Sequence, residues 1–210
     1  MDGRNIISRP SPGFTMIEVL VSLVIIAFGL LGLAGLQTRM QQAEFESYQR
    51  AQALVLLYDM VDRINSHRAT APCFAVTTNM LNGTSYYGTD SLAMPTCGYS
   101  TSGNNAMADN SMSEWDNLLK GAAELKGGTG VASYVGAMVG ARGCVNYDNT
   151  TLLPDPTGAS LTGTGIYTVA VAWQGNSDTI VPTVNCANTL YGPETRRRVV
   201  STTFRMAYLK

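Results

Sequence analysis

The chain has 210 residues and a formal charge of -1, with 45% hydrophobic and only 14% charged residues, against a usual charged share of about 25%. This balance excludes a protein that binds nucleic acid through broad basic charge, and no nucleic-acid partner is predicted. The one basic cluster, the three arginines at 196–198, is interpreted as the solvated start of a strand.

The N-terminal part contains a segment that is long and apolar enough to cross a membrane. Residues 19–36 carry no charge, and as a helix rising about 1.5 Å per residue they would extend about 27 Å, close to the thickness of a bilayer core. Arg4 and Arg9 precede the segment. The positive-inside rule therefore predicts a cytoplasmic N-terminus, with everything after Leu36 on the far side of the membrane.

One helix is predicted over residues 15–66, because no proline occurs from Phe14 to Ala71 and the helical pattern continues past the apolar segment. We expect Glu46 to pair with Arg50, and Asp59 with Arg63, one turn apart. A stripe of small and apolar residues at steps of three and four is predicted to be buried under residues 70–210: Leu36, Met40, Ala43, Ser47, Ala51, Leu54, Tyr58 and Val61.

The C-terminal part is rich in Gly, Ser, Thr and Asn, which is typical of a β-containing domain with many loops. A short helix is predicted over residues 111–126, with Ser113 as its N-cap and Asp116 at the capping-box position. Alternating patterns predict strands at 166–174 and 198–209, paired antiparallel across the loop that holds Cys186. Residues 76–110 and 126–143 show no pattern that assigns an element.

The four cysteines all lie in the predicted far-side part. An even number in an oxidising compartment indicates two disulfides, for which three pairings are possible. We favour Cys73 with Cys97 and Cys144 with Cys186, because sequential pairing links one loop region at each end of the domain.

Glu18 places a carboxylate at the start of the apolar helix, where an unpaired charge buried in lipid would cost about 2.5–3.5 kcal/mol. It therefore needs a partner or a depth that water reaches. Cleavage after Gly13 would create an α-amino group on Phe14, four residues before Glu18 and one helical turn away. That amine, cationic at neutral pH, could pair with Glu18 of its own or a neighbouring chain.

The run GFTMIEVL at residues 13–20, followed directly by the apolar segment, resembles the class III signal sequence of type IV prepilins and type II secretion pseudopilins. The resemblance implies cleavage after Gly13 by a prepilin peptidase, N-methylation of Phe14 and a role for Glu18 in assembly. It also implies a pilin-like α+β fold, in which a long N-terminal helix packs on a C-terminal antiparallel sheet domain with disulfide-linked loops. The implied organisation is a cleaved leader at 1–13, a transmembrane and filament-core helix at 14–36, its amphipathic continuation at 37–66 and a globular β-rich domain at 67–210.

Within this family the chain resembles the PilV-type minor pilins, also called type IV pilus modification proteins. The similarity lies in the stretches EVLVSLVIIAFGLLGLAGLQ, AQALVLLYDMVDRINSHRA, YTVAVAWQG and RRRVVSTTF. Two features differ from the usual major pilin: the helix lacks a kinking proline, and the leader contains Asp2 and no lysine. The implied function is to prime pilus assembly at the inner membrane, with incorporation at or near the pilus tip; a minor pseudopilin of a type II secretion system is the alternative.

The resemblance also implies the partners and the location. The partners would be other minor pilins, the major pilin, the prepilin peptidase and N-methyltransferase, the inner-membrane assembly platform and a tip adhesin. The protein would first reside in the bacterial inner membrane, with a cytoplasmic N-terminus and a periplasmic C-terminal domain, and then in the extracellular pilus.

The sequence contains no recognisable catalytic or metal-ligating pattern, so the chain is predicted not to be an enzyme and to need no cofactor or metal. His67 is the single histidine and is interpreted as a polar residue at a helix end. The glycine-rich residues 127–130 lack the following Gly-Lys-Ser/Thr of a phosphate-binding loop.

Overall fold

The computed structural model describes residues 13–79, 81–123, 125–126, 133–134, 136 and 138–207. Contacts divide the chain into two compact units, Met1–Glu44 and Phe45–Lys210. Predictions on the leader at 1–12, on the glycine-rich residues 127–130 and on Tyr208 concern positions outside the described residues.

Helix α1 runs over Met16–Ser66, which confirms the single long helix predicted for residues 15–66. The helix is long because Met16–Ser66 contains no proline and is rich in apolar residues. The helix ends where the Ser66 hydroxyl donates to the carbonyl of Arg63. A 3-10 helix, Arg68–Phe74, follows and contains Pro72.

The buried side of α1 in the second unit differs from the predicted stripe. The buried residues are Gln49, Ala53, Leu57, Met60 and Ile64, whereas Tyr58 is 58% exposed and Leu54 is also exposed. This set is displaced by one residue, or about 100° around the helix. The prediction was wrong because five consecutive apolar residues at 54–58 surround the helix, so the packing of the rest of the unit decides which side is buried.

Helix α2 covers Ser102–Leu119 and begins nine residues before the predicted start. The N-cap is Thr101, whose side chain accepts from the Asn104 amide, and not Ser113. The Gly, Asn and Asp residues at the start of α2 have low helix propensity, so the pattern there did not indicate a helix. Asp116 does not serve in a capping box, because its carboxylate accepts from the Gly88 amide at 2.6 Å.

Trp115 attaches α2 to α1 and to the sheet. Its indole Nε1 donates to the carbonyl of Leu56 at 2.9 Å, and its ring lies edge-on to Tyr87 with the centroids 5.0 Å apart. A second link between the helices is Arg63, which pairs with Asp59 at 2.7 Å, as predicted, and with Glu114 at 3.0 Å.

The described strands are β1 (Tyr87–Gly88), β2 (Leu125–Lys126), β3 (Ser133–Tyr134), β4 (Arg142–Asp148), β5 (Ile166–Gln174) and β6 (Arg197–Arg205). An antiparallel sheet has the order β1-β4-β5-β6, and β2 pairs with β3 in a separate hairpin. The predicted strand at 166–174 and its antiparallel pairing with the last strand are confirmed. The last strand ends at Arg205 and not at residue 209, and β4 was not predicted.

Residues pack on both faces of the sheet at β4 and β5, which explains why β4 carries no alternating pattern. Tyr167, Val169, Val171 and Trp173 of β5 belong to the core shared with α1 and α2. The alanines on the opposite face of β5 pack in a second cluster with residues of the segment after β5: Cys186, Ala187 and Tyr191.

Two disulfides fasten the segments that cover the sheet and helices. Cys73 bonds to Cys97 with Cα atoms 5.4 Å apart, joining the 3-10 helix to the segment before α2. Cys144 bonds to Cys186 with Cα atoms 5.7 Å apart, joining β4 to the segment after β5. This is the sequential pairing.

The three arginines at 196–198 do not form a solvated cluster. The Arg197 side chain is only 1% exposed, and its Nε donates to the Glu194 carboxylate at 2.6 Å. Its Nη1 donates to the carbonyls of Val184 and Cys186. The prediction was wrong because the segment before β6 folds over this side chain, and a charge run in sequence does not reveal such a cover.

Arg198 connects β6 to α1. Its Nη2 donates to the Glu46 carboxylate at 3.2 Å and to the Ser177 carbonyl at 2.7 Å, so Glu46 pairs with Arg198 instead of the predicted Arg50. Burial raises the pKa of Glu46, but the Ser177 hydroxyl and the Arg198 charge outweigh burial and hold this pKa below its usual value.

We expect Gly143→Ala to destabilise the second unit, because a Cβ at this position of β4 would lie 2.0 Å from Cη2 of Trp115. Overpacking of this kind costs about 1–3 kcal/mol. Gly103→Ala in α2 is the matched control: its Cβ would meet no atom within 4 Å, so the free energy of unfolding should rise by up to about 1 kcal/mol. Urea unfolding of the full chain in detergent, followed by circular dichroism, measures both; equal effects would contradict the packing described.

Adjacent arginines should differ sharply in their contribution to stability. Arg197→Ala leaves Glu194 and several carbonyls without a buried partner, so we expect a loss of about 3–5 kcal/mol. Arg196 is 47% exposed and pairs with Asp178 at the surface, so Arg196→Ala should cost less than about 1 kcal/mol. Thermal unfolding of the two variants side by side tests this, and similar melting temperatures would show that the buried contacts of Arg197 do not matter.

Candidate processing and assembly site

The predicted processing residues lie just before α1. Gly13, Phe14 and Thr15 precede the helix, which begins at Met16. Thr15 caps the helix: its carbonyl accepts from the amides of Glu18 at 3.1 Å and Val19 at 3.3 Å, and its hydroxyl lies 3.4 Å from the Glu18 amide. Threonine is one of the residues preferred at this position.

Gly13 has no structural requirement for glycine. A Cβ built on it would meet no atom within 4 Å, and its backbone is not among the glycines with positive φ. Neither packing nor backbone geometry among the described residues selects glycine here. Glycine at this position is therefore compatible with recognition by another molecule that acts on the chain.

Phe14 is 83% exposed and directly follows Gly13, the predicted cleavage position. The sequence prediction placed Phe14 one helical turn from Glu18. In the structure Phe14 lies two residues before the helix start, so that spacing requires the helix to extend to Phe14 after cleavage.

Glu18 lies in the first turn of α1 and is exposed. Its carboxylate is favourably placed there, because the free amides at a helix N-terminus attract negative charge. No ion pair to Glu18 is present within the part of the chain that the structure describes. If Glu18 pairs with a cation, that cation comes from outside these residues.

The apolar segment after Glu18 is uncovered. Its large hydrophobic side chains are between 44% (Val24) and 70% (Phe28) exposed, and an 18-residue window with a mean hydropathy of 2.7 has no buried residue. The Ser22 hydroxyl donates to the carbonyl of Val19 at 2.8 Å, so this polar group is satisfied inside the helix. Among the described residues, α1 is one helix that length and composition would allow to cross a membrane.

Among the described residues, no three His, Cys, Asp or Glu side chains are grouped so that they could hold a metal ion. His67 lies at the end of α1, where its Nδ1 is 2.9 Å from the Arg63 carbonyl and its ring lies against Phe74. A cleft of about 290 Å³ is lined by Trp173, Arg50 and the Glu46–Arg198 pair.

Sequence reasoning predicted Gly13 and Phe14 as the processing residues and missed the polar contacts that organise the second unit. The buried Arg197 contacts the segment before β6, and Arg198 pairs with Glu46 of α1. Both contacts join residues that are brought together only when the chain folds.

Comparison with known proteins finds the prokaryotic N-terminal methylation motif at residues 9–34, the region of the predicted site. Neither the curated proteins nor the solved structures contain a match to the chain. The long apolar helix and the antiparallel sheet with two disulfides form a pilin-like α+β arrangement, and the motif supports a type IV pilin or pseudopilin. The motif implies processing by a prepilin peptidase and assembly with other pilins, and together with the apolar helix it suggests anchoring in the inner membrane.

Proposed function

We propose that the chain is a minor pilin of the PilV type, which helps to prime a type IV pilus at the inner membrane and is incorporated at or near the pilus tip. The observation that carries the proposal is the methylation motif at residues 9–34 on an apolar helix that the chain leaves uncovered. Two features support the minor-pilin assignment: α1 lacks a kinking proline, and the sequences of the strands β5 and β6 resemble those of PilV-type minor pilins.

The mechanism is packing and not catalysis, without a cofactor or metal. The peptidase hydrolyses the bond between Gly13 and Phe14, and methylation of the new Phe14 amine keeps it cationic. Glu18 of one subunit then pairs with the Phe14 amine of the same or a neighbouring subunit, which sets the register of adjacent helices in a medium of low dielectric constant. The apolar side chains of residues 19–36 are buried against those of other subunits.

In this proposal the chain enters the inner membrane with its N-terminus in the cytoplasm and its C-terminal unit in the periplasm. The two disulfides support this orientation, because such bonds form in the periplasm and are rare in the cytoplasm. The periplasmic unit would then contact other minor pilins, the major pilin and a tip adhesin during assembly by the inner-membrane platform.

A minor pseudopilin of a type II secretion system is the alternative, because the same motif and fold serve both systems. Deletion of the coding sequence separates the two. Loss of surface pili and twitching, with unchanged protein export, supports the minor pilin; blocked export with normal piliation supports the pseudopilin; no change in either contradicts both.

We expect the chain to begin at N-methylated Phe14 in cells that contain the prepilin peptidase and at its leader in cells that lack it. Intact mass and N-terminal sequencing measure this. In the variant Gly13→Val the leader should remain even when the peptidase is present. The melting temperature should stay unchanged, because a Cβ at position 13 would meet no atom within 4 Å. Normal processing of the variant would show that Gly13 does not define the cleavage site.

Glu18→Gln should be processed normally but recovered from sheared filaments at a level lower by about tenfold or more, because loss of one charge partner is worth at least about 1.4 kcal/mol in assembly. Glu44→Gln is the control, since Glu44 is an exposed carboxylate of α1 beyond the apolar segment. Quantitative immunoblotting of membrane and filament fractions gives the ratio. Equal recovery of both variants would remove Glu18 from the assembly mechanism.

A further inference from the structure

Strand β6 is an edge strand with an unusually open edge. It stands last in the sheet order β1-β4-β5-β6 and pairs with β5 over its whole length, Arg197–Arg205. No strand pairs with its other side among the residues that the structure describes. Nine residues is long for an edge that is left unpaired.

The register identifies which backbone groups of β6 point outward. Thr77 exchanges hydrogen bonds with both backbone groups of Val145, so Val145 faces away from β5. Its cross-strand partner Val169 therefore faces β6 and bonds with Thr202, the residue opposite it. The backbone groups of the residues that alternate with Thr202, namely Ser201 and Thr203, then point outward.

The same alternation assigns Val199 to the outward set. The N–H and C=O groups of Val199, Ser201 and Thr203 make no hydrogen bond to any other group in the described part of the chain. They repeat about every 6.8 Å, which is the spacing that the backbone of another extended chain matches. Ser201 and Thr203 are exposed, so a second chain can reach this edge.

The central side chains of β6 do nothing to block such pairing. Residues 199–204 read VVSTTF and contain no charge, no proline and no glycine. Edge strands of soluble proteins usually carry a charge, a proline or a bulge that prevents pairing with other chains. The lack of these devices over six residues indicates an edge that is used.

We propose that β6 accepts an extended strand from another subunit of the assembly, one with an uncharged centre and a carboxylate near the end that lies beside Arg205. The guanidinium of Arg205 donates to the carbonyls of Thr151 and Thr164. Its charge has no carboxylate partner among the described residues, so an acidic group of the partner strand complements it.

A second copy of this chain fits the edge less well. Antiparallel pairing of two β6 strands about Ser201 would place Arg205 of one copy opposite Arg197 of the other. Arg197 is buried and paired with Glu194, and β6 contains no acidic residue, so a second β6 would supply no carboxylate to Arg205. The occupant is therefore a strand of a different subunit, which makes the inference dependent on the proposed role in an assembly of several subunits.

Hydrogen exchange of individual amides tests the pairing. The full chain is compared alone in detergent micelles and in the assembly extracted from its own cells with mild detergent. In the isolated chain the amides of Ser201 and Thr203 should exchange fast, while that of Thr202 is protected by its bond to β5. In the assembly, Ser201 and Thr203 should exchange slower by about tenfold or more; unchanged exchange, or recovery of the chain without any partner, overturns the inference.

Ser201→Pro removes only one outward donor, because the Ser201 amide does not bond to β5, and proline is tolerated at such edge positions. We expect its recovery with the partner subunits to fall by about tenfold, with a melting temperature close to that of Ser201→Ala, which keeps the donor. Ser201→Lys, which adds a charge at the edge without altering the backbone, should have the same effect if the proline variant unfolds. Full recovery of both Ser201→Pro and Ser201→Lys contradicts the pairing.

The N-terminus separates this inference from the proposed function. A chain that starts at methylated Phe14 and enters filaments, but whose β6 amides remain unprotected, refutes the strand pairing alone. A chain that keeps its leader and stays in the membrane refutes the pilin role. Protection of the β6 amides in that membrane assembly would still support the strand pairing, and unprotected amides would refute it as well.

Discussion

Residues 19–36 can be buried only by other molecules, and the rest of the structure depends on this constraint. Their side chains are exposed all around α1, and at about 25 cal/mol per Å² of apolar surface such a segment cannot remain in water. A bilayer or a bundle of similar helices must cover it. Glu18 can persist at the start of this segment only where water reaches it or where a cation is supplied from outside the described residues.

The second unit therefore has to be stable without help from that segment. Its core contains the last turns of α1, α2 and one face of the sheet, and Trp115 contacts all three through Leu56, Tyr87 and the space left by Gly143. The disulfide between Cys144 and Cys186 holds a long segment over the second face of the sheet. The buried Arg197 satisfies the carbonyls of that segment, which has little regular structure of its own.

Among the described residues, no strand lies beside β6, the long edge of the sheet. A pilin-like subunit that is coupled to its neighbours at an uncovered helix and at an open strand edge would use two different forces, burial of apolar surface and backbone hydrogen bonding. The first does not depend on direction and the second strongly does. An assembly that combines them can gain affinity from the helices and specificity from the edge.

The sequence was sufficient to predict the long helix, the apolar segment, the N-terminal motif and the strand β5, because each depends on local order: periodicity, length or adjacent residues. It did not determine which side of α1 is buried, since residues 54–58 are apolar all around the helix and only the docking of α2 and the sheet selects Leu57 over Tyr58. It also missed β4, whose Gly143 makes sense only with Trp115 above it, and the burial of Arg197. These features depend on contacts between residues far apart in the chain, and such contacts exist only in the tertiary structure.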